Sequence, residues 1–160
     1  MMRGHVERMY PYTNIPMKRG DVLYSSIGRS TYFVGHIVIV GSDWMMKESI
    51  PGKPSGFSLT PEQFWHRHRR GDRITLLRAR SGADEAAQWA TNYVSCVKHY
   101  NLLNYDINTI ASNYCSKFII QAFYFGAHMK LFSFLTRLIT PQQFKRSPHL
   151  EQIARIEKFI

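Results

Sequence analysis

The stretch Gly35-His36-Ile37-Val38-Ile39-Val40-Gly41 constrains this chain more than any other. Four consecutive β-branched aliphatic residues between glycines suit a strand better than a helix. With no polar residue alternating among them, that strand must be buried on both faces. The chain therefore has to supply cover on two sides, which 160 residues and 18.7 kDa allow within one domain spanning 1–160. The one polar residue is His36, at the strand's beginning. An imidazole there needs a partner, because an unsatisfied buried polar group costs about 1–3 kcal/mol.

Around that strand the first half reads as β-rich. Val22-Leu23-Tyr24 is a short strand after Gly20-Asp21, and Ser25 to Ser30 is a small-residue loop. Gly41-Ser42-Asp43 is a turn leading to a partner strand over Trp44 to Ile50, which Pro51-Gly52 ends. Thr60-Pro61-Glu62-Gln63 is a helix start with a capping box and proline at the first position; that helix ends near Gly71. Arg73 to Arg80 is a further strand.

The second half reads as helical. Asp84 to Tyr100 places Ala86, Ala90, Tyr93, Val94 and Val97 on one face. Asn101 to Asn113 is a polar connector, and Cys115 to Phe125 is apolar nearly all round, as a buried helix is. Met129 to Ile139 is another apolar stretch, followed by a second Thr-Pro helix start at Thr140. The overall expectation is an α+β fold.

Charge narrows the partners. With 21 Lys and Arg against 11 Asp and Glu, the net charge is +10, which favours anionic partners such as phospholipid headgroups, nucleic acid or acidic polymers. No stretch approaches the roughly 18 consecutive apolar residues of a spanning helix, and Met1 to Tyr10 is polar with both charge signs. The expected compartment is the cytoplasm as synthesised, with signal-independent export or delivery left open. Cys96 and Cys115 could form one disulfide at most, which suits a reducing compartment.

Three residues carry the candidate chemistry. Cys115 stands at the expected first turn of a buried helix, where unsatisfied N–H groups and the helix dipole favour thiolate over thiol. Cys96 lies mid-helix, where nothing comparable acts on it. Glu48 lies on the strand next to that of His36, so its carboxylate can accept from one ring nitrogen and leave the other for the thiol.

The order GDVLYS, GHIVIVG, KESIPG, a Tyr-Asp pair, NYCSKFIIQAFY and a closing ITPQQFKRSPHL resembles the circularly permuted NlpC-type branch of the papain-like superfamily, in particular YiiX/YebB-like proteins. The resemblance runs from about Gly20 to Leu150. It implies a permuted papain-like fold whose antiparallel sheet packs against the helix bearing the nucleophile. It also implies that Cys115 is the nucleophile, His36 the general base, Glu48 the residue orienting the imidazole, and Tyr105 a tyrosine that helps hold an oxyanion. Residues 1–19 form an N-terminal segment without a counterpart in the pattern.

The implied activity is a cysteine-dependent hydrolase acting through a thioester on amide bonds of a peptide or muropeptide. The alternative is a phospholipase or acyltransferase on acyl-lipid esters or amides, aided by contact with an anionic membrane surface. Neither needs a metal or organic cofactor. A third reading is a non-catalytic nucleic-acid-binding module, suggested by Trp65-His66-Arg67-His68-Arg69-Arg70. It is disfavoured because no reader motif surrounds that run. A metal site on His66 and His68 is disfavoured too, for want of Cys or carboxylate partners nearby.

Overall fold

The computed structural model describes residues 7–25, 35–133 and 137–159. Ser26 to Ser30 of the expected loop, 134–136 of the second apolar stretch and the first six residues lie outside these.

The aliphatic run forms β2 (His36–Val40), with all five residues buried. It lies inside a six-stranded antiparallel sheet with β1 (Val22–Ser25), β3 (Met46–Ser49), β4 (Gly56–Leu59), β5 (Arg73–Ala79) and β8 (Leu150–Glu157). The strand order is β4-β3-β2-β1-β5-β8. The remaining elements are α1 (Pro61–His66), α2 (Ala83–Tyr93), α3 (Cys115–Gln121) and a short parallel pair, β6 (His99–Tyr100) with β7 (Ser112–Asn113).

Both faces of β2 are covered, as its composition demands. Ile37 and Ile39 join a cluster with Val22, Trp89, Phe118 and Phe123, built on α2 and α3. Val38 and Val40 join the other cluster, with Phe64 and Trp65 of α1 and with Tyr10 and Met17 of the N-terminal segment. That segment is held by Asp21, a fully buried carboxylate. It accepts from Tyr10 Oη at 2.6 Å, Arg78 Nε at 2.7 Å and the Lys18 backbone N–H at 3.0 Å.

Two expected elements differ, and one strand was not expected. The helix expected over Asp84 to Tyr100 leaves α geometry after Tyr93, passing through a 3-10 turn, Val94–Cys96, into β6. Tertiary bonds draw the chain away there: Val97 C=O accepts from Gly56 N–H, and Lys98 and His99 N–H groups donate to Ala111 C=O. Gly56 permits the approach, since a Cβ on it would lie 2.1 Å from Val94 O. The helix from Cys115 is regular only to Gln121 and continues as a π turn, Ala122–Gly126. Strand β8 is absent from the sequence reading. Its exposed Glu151, Gln152 and Ile153 and a register shift opposite Leu76/Leu77 erase the period of two.

Candidate functional site

Strand pairing brings His36 and Glu48 together. Ile39 pairs with Lys47 and Val40 with Met46, so the same register sets Glu48 opposite Val38, two residues along from His36 on one face. Such diagonal neighbours are within side-chain reach. His36 Nε2 donates to Glu48 Oε2 at 2.6 Å, with 3% and 0% of the two side chains exposed.

Cys115 arrives from the other half of the chain. It is the first residue of α3, after Tyr114 in extended conformation, and is buried. Two polar side chains on this otherwise apolar helix fix its approach. Lys117 Nζ donates to Asn104 Oδ1 (3.1 Å) and Ser112 C=O (3.0 Å). Gln121 donates to the Ile107 and Thr109 carbonyls at 2.9 and 3.0 Å and accepts from Asn113 Nδ2 at 2.6 Å. Both tie α3 to the connector before it.

The electrostatics couple these groups. Burial alone would pull the His36 pKa down, but the adjoining Cys115 thiol and the Glu48 carboxylate push it up to about 9. Burial would raise the Glu48 carboxyl. The hydrogen bond and charge of His36, with the Arg67 guanidinium, hold it below the usual carboxylate value. The second ring nitrogen, His36 Nδ1, is buried and has no hydrogen-bond partner among the described residues. The arrangement thus offers a thiol beside a charged imidazole whose opposite edge is locked.

Two further residues of the site escaped the sequence reading. Arg67, the residue that caps α1, puts Nη1 2.7 Å from the Glu48 carboxylate. Tyr100 has a buried hydroxyl, and burial together with the nearby Cys115 raises its pKa. Tyr105 is half-buried on the connector and adds to the electrostatic surroundings of Tyr114. For Arg67 the available signal was only a run of cations, which reads equally well as a solvated face. A two-residue strand such as β6 gives no periodicity that would have singled out Tyr100.

The cationic run does not form one basic face. Arg67 is drawn to Glu48, while His68 turns inward, with Nδ1 2.8 Å from Phe64 C=O and Nε2 2.9 Å from Ser25 Oγ. Arg69 and Arg70 remain exposed. The split undercuts the nucleic-acid reading, and His68 is committed to partners other than a metal shared with His66.

No family model matches the chain, and no curated protein matches its sequence. Its fold is shared with the crystal structure of metalloprotein yiiX, a DUF1105 protein from Escherichia coli O157:H7. The two agree with a TM-score of 0.64 at 13% identity, over 89% of this chain and 98% of that one. The YiiX-like resemblance thus holds for the fold, an α+β architecture with an antiparallel sheet packed against helices. Among the described residues no helix is long and apolar enough to cross a membrane.

The comparison corrects the expected activity. A thioester-forming hydrolase or acyltransferase was expected from the YiiX-like resemblance, yet the yiiX protein that shares this fold is a metalloprotein. The thiol-protease assignment falls with it. Among the described residues no three His, Cys, Asp or Glu side chains converge to hold a metal ion. Glu48 is already engaged by His36 and Arg67, and His36 holds its proton to about pH 9. That donor set fits a metal poorly.

Proposed function

We propose that this protein works through a reactive thiol at Cys115, which takes up a thiophilic ligand beside the His36 imidazolium. In this reading Glu48 orients the imidazole and steadies its positive charge, and Tyr105 and Tyr100 supply hydroxyls to the bound ligand. The carrying observation is the 2.6 Å bond from His36 Nε2 to Glu48, which leaves buried Nδ1 unpaired beside Cys115. The net charge of +10 favours an anionic ligand or surface.

We further assign the α+β architecture to the circularly permuted NlpC-type papain-like class. What supports this is the chain order: histidine on β2, glutamate on β3, and cysteine last, at the start of α3. A thiol–imidazole–carboxylate set is defined by geometry and tolerates such reordering.

Iodoacetamide labelling near pH 7, read by peptide mass spectrometry, tests the proposal. Cys96 is exposed and serves as an internal reference. Cys115 is expected to react at least about tenfold faster despite its burial, and His36→Ala to remove that advantage. Slower labelling of Cys115 than Cys96, or no effect of His36→Ala, overturns it.

A further inference from the structure

Glu48 serves two cations. Its carboxylate is fully buried, and Oε2 accepts from His36 Nε2 at 2.6 Å and from Arg67 Nη1 at 2.7 Å. Arg67 itself is 31% exposed, so one end of this buried chain reaches water. Its backbone is held from a distance: Lys158 Nζ donates to the Trp65 and His68 carbonyls, at 3.3 and 2.5 Å, on either side of Arg67 in sequence. Such bracketing is more than an incidental surface ion pair has.

We propose that Arg67 is a positioning residue that sets the charge balance of the thiol–imidazole pair, by competing with His36 for Glu48. This rests on reading Cys115, His36 and Glu48 as the working site. The groups that act on His36 come from two elements, Glu48 from β3 and Cys115 from α3, while His68, beyond the end of α1, is itself acted on by the His36 charge. On β1 its cross-strand neighbour is uncharged Ser25, whose Oγ pairs with His68. Tyr100 stands beyond, against Cys115. Arg67 is the one arginine that shares the His36 counter-ion among the described residues. By drawing on the same carboxylate and opposing the imidazolium, it makes His36 give up its proton more readily than Glu48 alone would allow.

The test is an NMR titration of the His36 ring in the intact protein and in Arg67→Met, Arg67→Gln and Arg67→Lys. The two neutral variants are expected to move the His36 midpoint up by about half a unit, roughly threefold in the imidazolium-to-imidazole ratio. Arg67→Lys, which keeps the charge, is expected to stay within about a third of that shift. No upward movement in the neutral variants overturns the proposal, as does an equal shift in Arg67→Lys. So does failure of both neutral variants to fold, since Arg67 would then be a structural requirement. The readout is independent of Cys115 labelling. A shifted midpoint with unremarkable Cys115 reactivity would remove the thiol reading and leave the coupling of Arg67 to His36 intact.

Discussion

His36 sits where two opposing effects meet, and the outcome is measurable as stability. Its folded-state pKa of about 9 lies above the ordinary 6.5, so its contribution is complete below pH 6.5 and is lost as pH rises through about 9. Glu48 runs the other way. Its pKa is lowered from 4.5, so its contribution is present above that value and is lost as pH falls through the depressed one. Lys117 opposes the alkaline trend, because burial lowers its pKa to about 8 and the penalty on its charged form fades above that. The useful quantity is therefore the difference in Tm between the protein and His36→Gln, in which the Lys117 contribution cancels. That difference is expected to be largest below pH 6.5 and to shrink steadily toward pH 9. A difference that stays flat over that range would show that His36 is not the group responsible.

At the scale of elements, α3 shows how an apolar helix can still be placed by a few polar atoms. Phe118, Ile119 and Phe123 bury it but would tolerate sliding; the Gln121 amide does not. It satisfies two connector carbonyls and the Asn113 side chain at once. Gln121→Ala is expected to cost about 2–3 kcal/mol, because buried partners lose their bonds. Urea unfolding would measure this. A loss smaller than about 0.5 kcal/mol would mean that water replaces the amide without penalty. The neighbouring π turn, Ala122–Gly126, is bound up with another contact. Gly126 lies so close to α2 that a Cβ would fall 2.5 Å from Glu85 O. At α1 the capping box at Thr60 forms as its sequence signature requires. The same short helix then ends with Arg67 in position to reach Glu48.

For the molecule as a whole, the last strand closes the structure. Strand β8 pairs along the entire length of β5, buries Leu150 and Ile156, and precedes Lys158, which fixes the end of α1. A chain truncated after residue 149 is expected to lose its cooperative thermal transition. That loss would expose one edge of β5 and remove the anchor of the segment carrying Arg67. A truncated protein that melts within a few degrees of the full chain would refute this.

Much of the sheet and part of the site could be read from residues alone. Ile37 to Val40 demanded a doubly covered strand, Thr60-Pro61 a helix start, and a histidine in that strand a polar partner. Each is a local preference or a burial requirement written into adjacent residues, and the Glu48 partner followed from one turn between two strands. Arg67, Tyr100, the early end of α2 and the whole of β8 follow from contacts between residues far apart in the chain. Val97 leaves the helix because Gly56 offers a bond, and Arg67 turns inward because Glu48 is buried within reach. Such choices are made by competition among distant groups for the same hydrogen bonds and the same buried space. No window of neighbouring residues contains that competition, and it is settled once the sheet has brought the groups together.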